Sequence, residues 1–237
     1  MTLHEPILGD SVDPLALHRL LAWLSPSFPV GAFSYSHGLE WAIEDGTVTD
    51  APKLEAWVGD VLMHGAGRSD AILFAHAAAA IDDAAALRDI VDLAAAFQPG
   101  AERRLESLAQ GRAFLIAVRA AWPNPVLERA AAVIDGAEGP AYPVAVAVAA
   151  AAHGVPRRPA VHAYLHAFAA NIISAGLRAV PLGQTDGQKI IARLGPVVAL
   201  VVDSVEGLPL EALGGAAFRA DIASMKHETQ YTRLFRS

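Results

Sequence analysis

The chain has 237 residues, 54% of them hydrophobic and 18% charged, which excludes a disordered protein because a sizeable apolar core can form. It contains no cysteine, which excludes disulfide scaffolds, thiol nucleophiles, cysteine-based zinc sites and iron–sulfur clusters. With 25 acidic and 18 basic residues the net charge is −7, which disfavours sequence-independent binding to nucleic acid.

Apolar residues recur at helical spacing along most of the chain, and alanine, the best helix former, fills many of the remaining positions. The clearest apolar stripes begin at Leu17, Leu54, Leu87 and Val161. Asp13, followed by Pro14, and Asp50 are typical residues for the start of a helix. The sequence therefore predicts an all-α protein, a single-domain bundle of roughly ten helices over residues 14–225, after a flexible segment at residues 1–13.

Three details of this bundle are predicted from local patterns. Residues 144–148 and 196–202 are apolar enough for a buried strand or a helix, and we expect helices because neither has a hairpin partner. Thr185 and Gln188 have the spacing of a capping box, which predicts a helix starting there. The uncharged windows are interrupted by proline and polar residues, and residues 1–10 lack the pattern of a signal peptide, so we expect a cytoplasmic protein without membrane contact.

No phosphate-binding loop, dinucleotide fingerprint, zinc-protease motif or esterase motif is present, so no cofactor is implied. His162 and His166 have i, i+4 spacing and would lie on one side of a helix. They suggest a histidine-based metal carrier, with His153 or His227 as a further ligand, or half-buried histidines with polar partners. No carboxylate lies on the same turn to complete a site, which favours the second interpretation.

Ser34, Ser36 and His37 form a second cluster. A hydrolase would use one serine as nucleophile and the histidine as its base. Close neighbours in sequence rarely have the opposed side-chain directions that such a pair needs. The serines are better explained as capping groups where the chain turns into a helix after Gly31.

Two loops combine rigidity with groups suited to a contact surface. In residues 25–31, two prolines and a glycine surround Phe28, with Phe33 following, and the loop could plug its own core or meet a partner. In residues 181–188, Gln184 and Gln188 offer neutral hydrogen-bonding groups within a helix connection. Residues 226–237 differ from the alanine-rich body and have the character of a polar tail with aromatic residues.

Three passages, in this order, resemble the motifs of the urease accessory protein UreF family. They are residues 25–40 (SPSFPVGAFSYSHGLE), residues 174–188 (SAGLRAVPLGQTDGQ) and residues 221–237 (DIASMKHETQYTRLFRS). The resemblance implies an all-helical, dimeric protein without catalysis of its own. It also implies action with UreD (also called UreH), the GTPase UreG and the urease apoprotein, in the insertion of nickel into urease and with influence on GTP hydrolysis.

On this resemblance, the tail at residues 226–237 becomes a partner-binding segment in which apolar anchors fill pockets and arginines pair with acids. Removing it should leave a folded protein that no longer captures UreD/UreH. The alternative is a tail packed on its own body, and the rival function is a histidine-based nickel carrier. The residues predicted to contact partners come from the three passages and their flanks: Phe28, Pro29, Phe33, Tyr35, His37, Arg178, Gln184, Gln188, Lys189, His227, Tyr231, Arg233, Leu234, Phe235 and Arg236.

Overall fold

The structure, a computed structural model, describes residues 12–237. The described chain is built from α-helices with two 3₁₀ helices, at Ala32–Ser34 and Leu210–Ala212, and it contains no β-strand. The α-helices are α1 Pro14–Trp23, α2 Leu39–Glu44, α3 Ala51–His64, α4 Ala66–Ala79, α5 Ala84–Ala96, α6 Ala101–Ala121, α7 Pro125–Asp135, α8 Tyr142–Ala152, α9 Arg157–Ala179, α10 Gln184–Val205 and α11 Phe218–His227. This confirms the all-α prediction. Most of the predicted flexible segment, residues 1–11, lies outside the described residues.

The two predicted helix starts are formed by side-chain caps. The Asp13 carboxylate accepts hydrogen bonds from the backbone N–H groups of Leu15 and Ala16, each at 3.1 Å. The Asp50 carboxylate accepts from the backbone N–H of Lys53 at 2.9 Å. Each carboxylate satisfies donors that the first helical turn leaves without a partner, which explains why the helices begin there.

The capping box predicted for α10 is wrong in its residues. The helix begins at Gln184, ahead of Thr185, and its cap is Gly183. The carboxylate of Asp186 reaches back and accepts from the backbone N–H of Gly183 at 3.3 Å. The reciprocal bond is thus made by an acid at the third helical position, and Gln188 has no part in it.

Helix α8 lies at the centre of the bundle, packed against α4, α6 and α9. It is apolar around its whole circumference, which is typical of a fully buried helix, and residues 143–150 are all buried. A Cβ at Gly111 of α6 would lie only 2.1 Å from the carbonyl oxygen of Pro140, so a glycine is required where α6 meets the start of α8. Both segments left open between strand and helix, residues 144–148 and 196–202, are helical.

Helix α9 runs through the core between α10, α3, α4 and α8. Of the helices in residues 12–237, it has the length and apolar composition that could span a membrane. Because 61% of its apolar window is buried inside the protein, its composition is that of a core helix. Helix α11 packs against α2 and α6, which places the last residues of the chain near α2.

Candidate functional site

The N-terminal turn, residues 31–38, leads into α2 through three residues with positive φ. Gly31, His37 and Gly38 have φ values of 72°, 57° and 75°. A Cβ at Gly38 would lie 2.6 Å from the backbone nitrogen of Ser224 in α11. Glycine at this position therefore meets two demands, the left-handed backbone and the close approach of α11. His37 holds a conformation that few non-glycine residues adopt, and such strain is often found at functional positions.

Residues 226–237 fold back onto the N-terminal turn, and the first two of them complete α11. The Ser36 N–H donates to the main-chain oxygen of Ser237 at 2.7 Å, and the Arg236 N–H donates to the carbonyl oxygen of Ser34 at 2.8 Å. The segment expected to be a polar tail is therefore docked on the body in this structure, as in the alternative of a tail packed on its own body. The physical reason is that the turn offers partners for its backbone polar groups.

Glu40, in the first turn of α2, contacts this segment at three points, two of them backbone N–H groups. One carboxylate oxygen accepts from the N–H of Leu234 at 2.6 Å, and the other accepts from the N–H of Phe235 at 3.0 Å. The second oxygen also lies 3.0 Å from Nε2 of His227. Hydrogen bonds to an ionised group are stronger than those between neutral groups. The Glu40 side chain therefore connects α2 both to the end of α11, at His227, and to the chain that follows, at Leu234 and Phe235.

Glu102 of α6 holds the segment from the other side. Its carboxylate lies 2.6 Å from Nδ1 of His227, which is completely buried, and 2.6 Å from the guanidinium of Arg233. Another carboxylate, that of Glu228, accepts from the backbone N–H of Ala101 at 2.9 Å, at the start of α6. The predicted partner residues His227 and Arg233 thus have partners inside the chain.

A buried polar cluster underlies the N-terminal turn and centres on Glu106 of α6. Its carboxylate lies 2.9 Å from Nε2 of His37, accepts from Nε2 of Gln110 at 3.1 Å and from Oγ of Ser237 at 2.6 Å, and pairs with the guanidinium of Arg103. Burial acts to raise the pKa of Glu106, but the charge of Arg103 and the hydrogen bonds outweigh it and hold the pKa at about 2.

The same cluster keeps His37 neutral at pH 7. Burial and, second, the positive charge of Arg103 lower its pKa below 6.5, although Glu106 opposes them. Arg103 is therefore the counter-ion of Glu106 at neutral pH. The His37 ring also packs edge-on against Phe168, with ring centroids 4.9 Å apart. His37 acts here in packing and hydrogen bonding, and little of its side chain is available to a partner.

A second buried acid is Asp70 of α4. Its carboxylate accepts from the hydroxyl of Tyr164 at 2.6 Å. Burial raises the pKa of Asp70 to about 6, and the hydrogen bond from Tyr164 opposes this only in part. Asp70 is therefore an acid whose ionised form is costly to the folded state.

Large apolar and aromatic side chains project from the outer side of this assembly. Phe33 is 69% exposed, Leu234 is 66% exposed and Tyr231 is fully exposed. The guanidinium of Arg178 lies 3.7 Å from the ring centroid of Phe33 and 4.4 Å from that of Phe235, so the cation contacts both rings. We call this set the aromatic–basic edge; its residues are the half-buried Arg178 and the exposed Phe33, Tyr231, Leu234 and Arg236.

Residues 25–35 include both buried and exposed side chains, so both roles considered for the loop, plugging the core and meeting a partner, are represented. Phe28 packs into the protein, with its ring centroid 5.3 Å from that of Phe114, and Tyr35 is 7% exposed. Pro29 is exposed, as is the aromatic ring that follows at Phe33. The structure thus buries Tyr35, packs the half-buried Phe28 against the core, and leaves Pro29 and Phe33 at the surface.

The predicted contact residues of the central motif lie at the start of α10. Gln184, Gln188 and Lys189 are exposed on the first two turns of this helix. The Lys189 ammonium is 3.6 Å from the carboxylate of Asp186, a surface pair that contributes little to stability. These three side chains are therefore available to a partner.

The residues of the metal-carrier alternative are not gathered together. His162 and His166 are exposed on α9, where they line a groove of about 480 Å³ against α1. The ring nitrogens of His153 lie 2.8 Å and 3.1 Å from the carbonyl oxygens of Ala149 and Trp122. Within residues 12–237, no three His, Asp or Glu side chains gather closely enough to hold a metal ion.

The hydrolase alternative is also not supported by the geometry. The Oγ of Ser36 donates to the main-chain oxygen of Ser237, and the ring of His37 contacts Glu106. The ring nitrogen that faces away from Glu106, Nδ1, is buried without a hydrogen-bond partner among the described residues. The serine and the histidine are thus used in docking the end of the chain.

Reasoning from the sequence missed the acids that organise this site. Glu102, Arg103 and Glu106 follow one another at short helical spacing on α6, a pattern typical of a solvated helix face with internal ion pairs. Glu40 stands inside a recognised motif, but no local signal shows that it meets the end of the chain. Only the tertiary contacts distinguish these acids from ordinary surface charges.

Comparisons with known proteins agree with the motifs. The family model UreF matches residues 48–195. The urease accessory protein UreF of Rhodopseudomonas palustris (strain BisB18) is 56% identical over 230 residues, which cover 96% of this chain and 95% of that protein. The UreF proteins of Xanthobacter autotrophicus (strain Py2) and Azorhizobium caulinodans are each 54% identical over 232 residues, covering 97% of this chain and 95% and 99% of theirs.

Proposed function

The chain belongs to the UreF family of urease accessory proteins, and from this premise we propose that it is a non-enzymatic adaptor in the maturation of urease. It helps to assemble the nickel metallocentre of urease in the cytoplasm. It does so in a complex with UreD/UreH, the GTPase UreG and the urease apoprotein, and it modulates the GTPase activity of UreG. Its work is done by presenting shaped surface to these proteins.

The observation that carries this proposal is the aromatic–basic edge. Aromatic residues and arginine are the usual anchors of protein interfaces, and an exposed apolar patch on a soluble protein commonly marks such an interface. Here Phe33, Tyr231 and Leu234 are exposed. Arg178 holds the Phe33 ring in place, which reduces the entropy that binding would otherwise lose.

A second set of exposed apolar side chains lies on α11. Phe218, Ile222 and Met225 are 67%, 55% and 50% exposed, and their i, i+4, i+7 spacing puts them on one helix face. We assign UreD/UreH to this surface together with the aromatic–basic edge. UreG is assigned to the start of α10, where Gln184, Gln188 and Lys189 are exposed.

The homodimer contact is assigned to the groove between α1 and α9. Its lining contains no Asp, Glu, Lys or Arg, and Leu17 and Leu21 of α1 are 48% and 66% exposed beside it. An uncharged, leucine-rich surface suits a second copy of the chain better than a charged partner, because homodimer interfaces are the more apolar class. Leu21→Glu should convert a dimer to a monomer in size-exclusion chromatography with light scattering, and an unchanged mass would refute the assignment.

The test of the adaptor function is capture of UreD/UreH by surface variants. Deleting residues 226–237 is unsuitable, because it would also remove the buried side chains of His227 and Phe235. The double variant Tyr231→Ala/Leu234→Ala removes exposed groups only. It should weaken capture in a pull-down by about tenfold or more, which is the effect of losing interface anchors.

The matched control removes exposed apolar groups elsewhere. Leu105 and Ile116 of α6 are 65% and 70% exposed, and Leu105→Ala/Ile116→Ala should leave capture unchanged. Full retention of UreD/UreH by the Tyr231/Leu234 variant, or equal loss in the control, would refute the assignment of the surface. Failure of the wild-type chain to bind either protein would refute the adaptor function itself.

A further inference from the structure

We propose that Glu40 is a positioning residue that fixes the register of residues 228–237, so that a partner meets Tyr231 and Leu234 while Phe235 stays inside. This inference rests on the adaptor function proposed above. It assigns a role to a side chain that does not itself have to touch the partner.

Each of the two carboxylate oxygens of Glu40 accepts one of two successive backbone N–H groups. The distances are 2.6 Å to the nitrogen of Leu234 and 3.0 Å to that of Phe235. The chain bends at these two residues, and their side chains face different surroundings: Leu234 is 66% exposed and Phe235 is 5% exposed. Holding both N–H groups therefore decides which of the two side chains faces outward.

Glu40 is itself held on rigid structure. It lies at the start of α2, directly after the turn in which Gly38 packs against the backbone of α11. Its side chain is 12% exposed, and its carboxylate also contacts Nε2 of the buried His227 at 3.0 Å. A carboxylate held by contacts to packed elements is suited to positioning a neighbouring segment.

The consequence is a specific description of the partner surface. It should offer apolar pockets to Leu234 and Tyr231, together with an acidic group for the exposed Arg236. Phe235 contributes from within, because its ring stacks under Arg178 and supports that side of the edge. The sequence had placed Phe235 among the residues that enter the partner, and this register assigns it to the inner side.

The first test measures the isolated chain and needs no partner. Glu40→Gln retains one acceptor oxygen and turns an NH₂ group toward donors, so it should lose hydrogen bonds to the segment. Hydrogen–deuterium exchange at residues 232–237 should become about tenfold faster or more, as expected for the loss of one or more such bonds. Glu55→Gln, the same change on the surface of α3, is the control and should leave the segment unaltered. Unchanged exchange in Glu40→Gln would overturn the inference.

The second test is a double-mutant cycle on capture of UreD/UreH. If Glu40 acts through the displayed side chain, Leu234→Ala should weaken capture in the wild-type background and have little further effect in Glu40→Gln. Additive losses would overturn the positioning role, because they mean that Glu40 acts independently of Leu234. Glu40→Asp keeps the charge and withdraws the oxygens. In the Glu40→Asp background, Leu234→Ala should likewise have little further effect on capture. Glu40→Asp is used in place of Glu40→Gln if the glutamine variant does not fold.

The two proposals fail in different ways. If the wild-type chain captures no UreD/UreH, the adaptor function fails, whereas the exchange experiment still decides whether Glu40 holds the segment. If capture by the wild-type chain is normal and exchange in Glu40→Gln is unchanged, the positioning role alone fails.

Discussion

Replacing Glu106 by glutamine would perturb the most densely bonded acid of the protein. The side chain is 2% exposed and meets donors from His37, Gln110 and Ser237 as well as the guanidinium of Arg103. Glu106→Gln is nearly isosteric, but it exchanges one acceptor for an NH₂ group that must face a donor. It also leaves the buried Arg103 without a negative partner.

The expected cost follows from that buried charge. Removing one member of a buried ion pair costs about 3–5 kcal/mol, against a total folding stability of about 5–15 kcal/mol. In a chain of this size each kcal/mol lowers the melting temperature by about 2–4 °C. Glu106→Gln should therefore melt roughly 6–20 °C below the wild-type protein, in differential scanning calorimetry at pH 7.

The pH dependence gives a second check on the same variant. Because the pKa of Glu106 is lowered from 4.5 to about 2 in the folded protein, its ionised form stabilises the fold fully above pH 4.5. That contribution is lost as the pH falls from 4.5 toward 2, so the difference between variant and wild type should shrink over this range. Glu128→Gln, at an exposed pair with Arg119, is the control and should melt with the wild type. A melting temperature for Glu106→Gln equal to that of the control would refute the reasoning.

Three further predictions concern single positions. Burial raises the pKa of Asp70 from 3.8 to about 6, so the wild type loses stability as the pH rises through this range. The melting temperature of Asp70→Asn should therefore rise relative to that of the wild type between pH 4 and 7. A constant difference in melting temperature would contradict this. Gly111→Ala should lower the melting temperature despite alanine's helix preference of about 1 kcal/mol, because the new Cβ would lie 2.1 Å from the Pro140 oxygen; a more stable variant would show that the backbone can yield. Asp186→Ala should cost about 0.5–2 kcal/mol in urea unfolding through loss of the α10 cap, whereas Thr185→Ala should change little, and the reverse order would restore the capping box read from the sequence.

The helices could be predicted from the sequence because their causes are local. Apolar spacing, alanine content and the caps at Asp13 and Asp50 all act within a few residues, and the structure has helices where these signals predict them. The error at the start of α10 was equally local. The sequence offers two capping boxes close together, Thr185 with Gln188 and Gly183 with Asp186. The structure forms the second, because the helix begins directly after Gly183.

The partner-facing residues were predictable only as a group. The motifs drew attention to the aromatic and basic residues of the loop and of the chain's end, but not to the direction in which each side chain points. Tyr35 is buried and Phe28 packs half-buried against the core, whereas Phe33 is exposed, although all three belong to one motif. Direction depends on what packs against each residue, and that partner comes from elsewhere in the chain.

By itself the sequence determined that this protein is an alanine-rich helical bundle and that it belongs to its family, since both follow from the order of residues along the chain. Tertiary structure alone decided that the end of the chain is docked, and that Leu234 faces out and Phe235 in. Glu40 and Phe235 are 195 positions apart, and a carboxylate can select the register of so distant a segment only after folding has brought the two together.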